Sequence, residues 1–461
     1  MRASVIGLGK LGASMAAAIA SRGFQVVGVD VLKSNVEALN NGQAPVAETG
    51  LAAMVAAHKQ RIKATTSHRE AVLNSDISFC IVPTPSDERG AFSLQYASWA
   101  FKEMGAALRE KKDYHLIVLT STVLPGSCRY GLIPILEEAS GKKCGKDFGF
   151  CYSPEFIALG SIIEDFLNPD FTLVGEFDER SGATLEEAYR GIVANGAPCQ
   201  RMTLENAELA KVALNSFVTM KITFANVLAD ICEHLPGGDV DRVTNAIGLD
   251  QRIGQQYLKG GLGFGGPCFP RDNVAFRFIA QALGSESRIS RTTVEINHSV
   301  AEKMIERLRP YAARNATVAF LGLAYKPFTQ VVEESQSVTI ADAISKAGAR
   351  VVAYDPLANE SARTQLSGTI VFAQSVKEAL SGADVVVIST ADPEFKALKA
   401  SDFKNGNRKV TVIDCWRLLD QELTGCKWVE YLPLGRATES DASVDVLRGL
   451  WESKRPDQPN A

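Results

Sequence analysis

Short apolar runs with β character alternate with helical stretches over roughly the first 200 residues, at 3–6, 25–29, 77–82, 116–119 and 148–151. Strands alternating with helices imply a parallel sheet covered on both faces, so this region predicts a doubly wound α/β domain. From 204 to about 234 the pattern becomes helical, with no proline before Pro236 and no glycine before Gly237. At 1.5 Å per residue such a helix spans roughly 45 Å, which suits a domain connector or a subunit interface. Its Leu214, Phe217, Val218, Ile222, Ala225 and Leu228 fall near helical spacing and predict one continuous apolar stripe. Buried by pairing two copies, that stripe would make the chain a homodimer or a higher homo-oligomer. Strands return after Ala316, at 317–321, 350–354, 384–389 and 410–413.

The two α/β regions echo each other. Val5-Ile6-Gly7-Leu8-Gly9 leads to a strand closing on Asp30, and Phe320-Leu321-Gly322-Leu323-Ala324 leads to one closing on Asp355. The expected division is 1–200 and 301–450 as the α/β domains, 201–300 as a central helical region, and 451–461 as a loose tail. At 461 residues the chain is long enough for two or three domains, and 46% hydrophobic with 22% charged residues is the composition of a soluble globular protein. A formal net charge of −4 argues against a general nucleic-acid coat. Nine cysteines without a C-x-x-C pair suit a reducing cytoplasm, and no metal centre is expected. The first residues already read as a strand and turn, so no signal peptide is expected. No apolar run looks long enough to cross a bilayer; 217–228 is interrupted by Lys221 and Asn226.

Chemistry enters at the first glycine turn. Gly7-Leu8-Gly9-Lys10-Leu11-Gly12 follows a strand and opens an alanine-rich helix. Gly7 permits the tight turn, Gly9 the close approach of a pyrophosphate, and Gly12 close helix–strand packing. The diphosphate would lie at the helix N-terminus, where N–H groups and the helix dipole favour anions. Asp30 stands where a ribose 2′-hydroxyl is read. An acid there, with no arginine just after it, favours NAD over NADP, although Lys33 weakens the preference slightly. A plain strand–turn–helix is the bland reading, and Asp30 argues against it.

Four further segments are unusual for scaffold. Ser153-Pro154-Glu155-Phe156 follows a strand, which puts Glu155 at the carboxyl edge of the sheet. Lys211 and Asn215, four apart on the central helix, share a face. Between Gly260 and Asp272 five glycines precede Cys268, and Pro270 suits the first turn of a following helix. A thiol at a helix N-terminus is drawn toward the nucleophilic thiolate. Lys326 breaks the second glycine turn. Taken singly, a cysteine is more often an inert buried hydrophobe, Lys211 and Asn215 a solvated stripe, and Glu155 a cap. The glycine loop alters that balance, because it costs conformational entropy unless the backbone must approach something closely.

At these residues the sequence resembles the UDP-glucose/GDP-mannose dehydrogenase family. The resemblance runs in order from Gly7 to about Leu419, through Val82-Pro83-Thr84-Pro85, Ser121-Thr122-Val123, Ser153 to Phe156, Glu164 to Asp170, Ala207 to Asn215, Gly263 to Asp272, Gly322 to Pro327 and Val351 to Pro356. It implies two Rossmann-like domains joined by the long central helix, and a four-electron oxidation of a nucleotide sugar's C6 alcohol using two NAD. Cys268 would carry a thiohemiacetal and then a thioester. Lys211 and Asn215 would stabilise oxyanions. Asp272 with Thr122 and a water would handle the alcohol proton, and Glu155 would assist hydrolysis. The cofactor would be held by Gly7, Gly9, Lys10, Leu11, Gly12, Asp30, Lys33, Thr84, Pro85 and Thr122. The sugar nucleotide would meet Glu155, Phe156, Lys211, Asn215, Tyr257, Lys259, Gly265, Tyr325 and Lys326, with Arg252 reaching from a neighbouring subunit. No nucleic acid or membrane partner is implied. The product would serve capsule, exopolysaccharide or envelope polysaccharide synthesis.

Several positions depart from the family. The stretch after Lys326 reads Thr329-Gln330-Val331-Val332-Glu333-Glu334, Trp416 stands where an arginine is usual, and Leu159 replaces a frequent glutamate. Pro267 and Arg271 replace the usual serine and lysine around Cys268. Arg417 is the expected substitute for a lost contact to the diphosphate. UDP-glucose is the first substrate expected, then a UDP-N-acetylhexosamine, then GDP-mannose. A two-electron hydroxyacid dehydrogenase would need neither Cys268 nor the second α/β domain. A silent nucleotide-sugar-binding protein would not need Glu155, Lys211, Asn215, Cys268 and Asp272 together.

Overall fold

The computed structural model describes residues 1–437 and 441–452. Most of the expected tail, 451–461, lies outside the described residues; the helix Asp441–Glu452 covers only its first two. The chain divides into two compact units, Met1–Leu214 with Val274–Glu286, and Asn215–Asn273 with Ser287–Ala461. Residues of the central region thus belong partly to each.

In the first unit the strands are β1 Arg2–Ile6, β2 Gln25–Val29, β3 Ile62–Thr65, β4 Ile77–Cys80, β5 Leu116–Leu119, β6 Gly149–Tyr152, β7 Thr172–Glu176 and β8 Cys199–Thr203. They form one sheet in the order 3-2-1-4-5-6-7-8. All pairings are parallel except β6 with β7. Alternate residues serve opposite faces: Leu116 and Val118 join one core, Ile117 and Leu119 the other. That two-sided burial explains why these strands read as unbroken apolar runs. The helix Lys10–Ser21 is buried from Gly12 to Ala20, which only its small alanine side chains allow so close to the sheet.

The second unit repeats the plan with β9 Thr317–Leu321, β10 Arg350–Tyr354, β11 Ile370–Phe372, β12 Val385–Ile388, β13 Val410–Asp414 and β14 Val429–Pro433. Their order is 11-10-9-12-13-14, all parallel. Each sheet therefore reverses direction between its first strand and the strand beyond it, the place where doubly wound folds bind ligands. Two doubly wound domains and a long helix Leu204–His234 are the architecture the alternation predicts.

That helix corrects two expectations. It is long and apolar enough to cross a membrane, with a window of mean hydropathy 1.4, but 44% of that window is buried within the protein. The apolar stripe also differs from the one expected. Ala225 is buried, while Phe217, Phe224 and Ile231, spaced by seven residues, are more than half exposed. A seven-residue spacing marks one face of a helix, and it is this face that stands open.

Candidate active site

The first unit gathers its site residues at the carboxyl ends of its strands. Gly7 follows β1 with φ +99°, and a Cβ there would lie 2.1 Å from the Ile81 carbonyl oxygen. A Cβ on Gly12 would lie 1.8 Å from the Gly7 oxygen, whereas one on Gly9 would meet nothing within 4 Å. Gly7 and Gly12 are thus required by the protein itself, and Gly9 faces open space. No side chain caps the helix that starts at Lys10. Asp30, after β2, accepts the Leu8 N–H at 2.8 Å and the Leu32 N–H at 2.8 Å, so it joins the glycine turn to the next strand. An open approach at Gly9, a helix start without a side-chain cap and a half-exposed carboxylate fit the pyrophosphate and ribose of NAD. Leu11 is half-buried beside Lys10, and Lys33 is exposed.

After β4 and β5 come Thr84 and Thr122, joined by the Thr84 hydroxyl donating to the Thr122 carbonyl at 2.7 Å. Pro85 accepts the Ser93 N–H at 2.8 Å, which fixes the same turn. After β6, the Glu155 carbonyl accepts from Lys211 Nζ at 2.5 Å, and the ammonium lies 4.5 Å from the centre of the Phe156 ring. Burial pushes the Glu155 carboxyl up to about 7, against the charge of Lys211 and a hydrogen bond with Tyr189. An acid that titrates near neutrality suits proton transfer.

The second unit carries Cys268 and the residues around it. Pro270 stands in the first turn of the helix Phe269–Ala282, directly after Cys268. Cys268 is exposed, whereas each of the other eight cysteines is buried or half-buried. Asp272, fully buried, accepts from Asn215 Nδ2 at 2.6 Å and pairs with Arg271 at 3.1 Å. The Tyr325 ring lies against Gly266, where a Cβ would stand 2.6 Å from it. Its hydroxyl is pushed up to about 12 by burial, and by Cys268 and Tyr257 beside it. Lys326 Nζ lies 5.8 Å from the Tyr325 ring, and a Cβ on Gly265 would clash with the Glu334 carbonyl at 2.2 Å. Asn215, Gly265, Cys268, Asp272, Tyr257, Tyr325 and Lys326 therefore share one unit. Glu155, Phe156, Lys211 and Thr122 share the other.

Arg252 and Lys259 also belong to the second unit. Both are exposed, and Arg252 folds back on Asp250 at 2.6 Å. Arg417 overturns its expected role. Its side chain is buried, pairs with Asp241 at 2.6 Å, and donates to the carbonyls of Gly260 and Leu434, both at 2.7 Å. A guanidinium so fully paired holds the fold together and has nothing left for a diphosphate. Trp416 lies against Gly261 and donates its indole N–H to Ser389 at 2.9 Å.

Two contributors lie outside the expected site residues. Tyr189 adjusts Glu155 from the last turn of the helix Glu179–Ile192. Glu208, fully buried, accepts the N–H groups of Gly126 and Cys128 at 2.6 and 2.8 Å and so anchors the segment after Thr122.

Comparison with known proteins points to a single family over most of the chain. Family models described as the NAD binding, central and UDP binding domains of the UDP-glucose/GDP-mannose dehydrogenase family match residues 1–193, 205–299 and 319–421. The UDP-glucose 6-dehydrogenase AglM of Haloferax volcanii is 38% identical over 423 residues, covering 91% of this chain and 97% of that one. The GDP-mannose 6-dehydrogenase of Pseudomonas aeruginosa is 34% identical, covering 86% of this chain and 92% of its own. The solved structure of a UDP-glucose dehydrogenase from Pyrobaculum islandicum superimposes with a TM-score of 0.84 at 34% identity, covering 95% of this chain and 98% of that one.

Proposed function

The chain belongs to the UDP-glucose/GDP-mannose dehydrogenase family and is an NAD-dependent nucleotide-sugar dehydrogenase, and from that premise we propose that it oxidises the C6 alcohol of UDP-glucose to the carboxylate on Cys268. Support for UDP-glucose comes from the Haloferax and Pyrobaculum relatives; GDP-mannose, the substrate named for the Pseudomonas relative, is the second reading. The observation that carries the mechanism is the exposed Cys268 thiol at the head of a helix.

Gly7, Gly9, Lys10, Leu11, Gly12, Asp30, Thr84 and Pro85 would hold NAD, which when bound supplies the hydride acceptor for each of two oxidations. In the first, Asp272, with Thr122 and a water, takes the alcohol proton as the C6–H bond breaks. The Cys268 sulfur then bonds to the aldehyde carbon, and Lys211 and Asn215 donate to the oxyanion. Loss of the remaining C6–H electrons leaves a thioester. Water, activated by the Glu155 carboxylate, adds to it; the C–S bond breaks, and carboxylate and free thiol result. Retaining the aldehyde on sulfur prevents its escape between the two oxidations. Tyr325, Lys326, Lys259 and Tyr257 would meet the sugar nucleotide, and Arg252 would reach the site of a second copy. That second copy would pair on the exposed face of Phe217, Phe224 and Ile231.

The test is stoichiometry across UDP-glucose, a UDP-N-acetylhexosamine and GDP-mannose. Two NADH per UDP-glucose, and turnover abolished in Cys268→Ser with NAD binding intact, are expected. One NADH with free aldehyde accumulating would refute the covalent mechanism.

A further inference from the structure

The five glycines before Cys268 invite the reading that a ligand must come close to the backbone. The structure gives them a different neighbour. A Cβ on Gly260, Gly261, Gly263, Gly265 or Gly266 would lie within 2.8 Å of, respectively, the Ala225 oxygen, the Trp416 ring, the Gln336 amide, the Glu334 oxygen and the Tyr325 ring. The glycines let the protein's own groups approach the loop.

Three buried amides, Asn226, Asn297 and Gln336, pair with the loop backbone, which lies in no strand or helix. The Gly261 N–H donates to Asn226 at 2.8 Å, and the Gly263 N–H donates to Gln336 at 2.6 Å. Asn297 takes both sides of Phe264: its Oδ1 accepts the Phe264 N–H at 2.8 Å, and its Nδ2 donates to the Phe264 carbonyl at 2.9 Å. Gln336 Nε2 in turn donates to the Asn297 carbonyl at 2.6 Å. The Phe264 ring meets the edge of Phe269 at 6.3 Å, and Phe269 opens the helix directly after Cys268.

We propose that Asn297 is a positioning residue for Cys268: by pairing both backbone groups of Phe264 it fixes the glycine loop, and through the Phe264–Phe269 contact it fixes the thiol at the helix start. Its effect on turnover rests on Cys268 being the nucleophile; its effect on the thiol does not. Asn297→Asp keeps the side-chain size and an acceptor for the Phe264 N–H but presents no donor to the Phe264 carbonyl. Gln336→Ala removes the neighbouring hold and serves as the second variant should Asn297→Asp fail to fold.

The readouts are the iodoacetamide alkylation rate of Cys268 at pH 7, followed on its peptide by mass spectrometry, the steady-state constants, and the melting curve. A thiol displaced from the helix start loses thiolate character, so alkylation should slow by about threefold or more. Misplacing a reacting atom should lower kcat by about tenfold or more, with the NAD KM held within about twofold. Folded variants with wild-type alkylation and wild-type kcat would overturn the positioning role. Slowed alkylation with unchanged kcat would sustain it and instead overturn Cys268 as the nucleophile.

Discussion

Replacing Arg417 with alanine should destabilise the second unit and leave nucleotide-sugar affinity to follow only as a consequence. The Arg417 side chain is 1% exposed and grips Asp241 with two nitrogens, at 2.6 and 3.0 Å. Removing one partner of a buried ion pair costs about 3–5 kcal/mol, because the other charge is left without compensation. Asp241 keeps 30% exposure, so water recovers part of that loss and the low end, about 3 kcal/mol, applies to the pair. The carbonyls of Gly260 and Leu434 lose their donor as well, adding about 1 kcal/mol or more. A total of about 4 kcal/mol corresponds to a fall in Tm on the order of 10 °C for a unit of this size. Arg417 also sits at φ +57°, so glycine in its place should recover about 1 kcal/mol relative to alanine. Thermal unfolding of Arg417→Ala and Arg417→Gly, beside their steady-state constants, measures both effects. An unchanged Tm with a raised KM for the nucleotide sugar would refute the reasoning and return Arg417 to the diphosphate.

Other outcomes follow from single residues. Because burial holds Glu155 at about 7 against an ordinary 4.5, the folded chain binds the extra proton between those values; this contribution favours folding at low pH and is lost as pH rises through 7. Activity should run the other way, with kcat rising through pH 7 as the carboxylate base forms, and a Glu155→Gln profile that kept this limb would exclude the base role. Gly9→Val should fold normally yet raise the NAD KM by about tenfold or more, whereas Gly7→Ala should lower Tm; equal effects of the two on Tm would show that Gly9 is scaffold. Mixing Arg252→Ala with Cys268→Ala subunits should restore part of the activity, since each mixed dimer would hold one whole site; no recovery despite subunit exchange and an inactive Arg252→Ala homodimer would remove Arg252 from the partner's site.

The sequence made the elements legible where burial is two-sided. The runs at 25–29, 116–119, 317–321 and 350–354 and the helix from 204 to 234 match the structure to the residue. The strands that escaped notice lie mostly near sheet edges and are polar or short: Ile62–Thr65, Cys199–Thr203, Ile370–Phe372 and Val429–Pro433, with the glycine-bearing Thr172–Glu176 beside Cys199–Thr203. With one neighbour or none on a side, such strands need no unbroken apolar run. Residues whose meaning is local, such as Gly7 and Gly12, could be read from spacing. Arg417 was misread, and Asn297 overlooked, because their meaning lies in groups 157 and 33 positions away, which spacing does not reveal.

The internal echo shows the same limit at the level of a motif. Gly7 and Gly322 are alike in backbone, with φ +99° and +103° and N–H groups donating across to Val29 and Tyr354 at 2.7 and 2.8 Å. Both following strands close on an aspartate. At Asp30 the carboxylate accepts two backbone N–H groups and remains half-exposed, and the helix begins at Lys10, directly behind an open Gly9. At Asp355 it accepts four, from Leu323, Ala324, Leu357 and Ala358, and is 5% exposed. The next helix there begins only at Gln336, so no helix start faces the turn. A ribose would have to displace backbone donors from a buried carboxylate, each a charge-assisted hydrogen bond of about 1.5–3 kcal/mol. Asp355 therefore closes its turn as a structural tie, and the segment freed from helix duty, 323–335, is what brings Tyr325 and Lys326 to the cysteine loop. One strand order thus supplies a dinucleotide site in the first unit, and in the second a wall beside the cysteine.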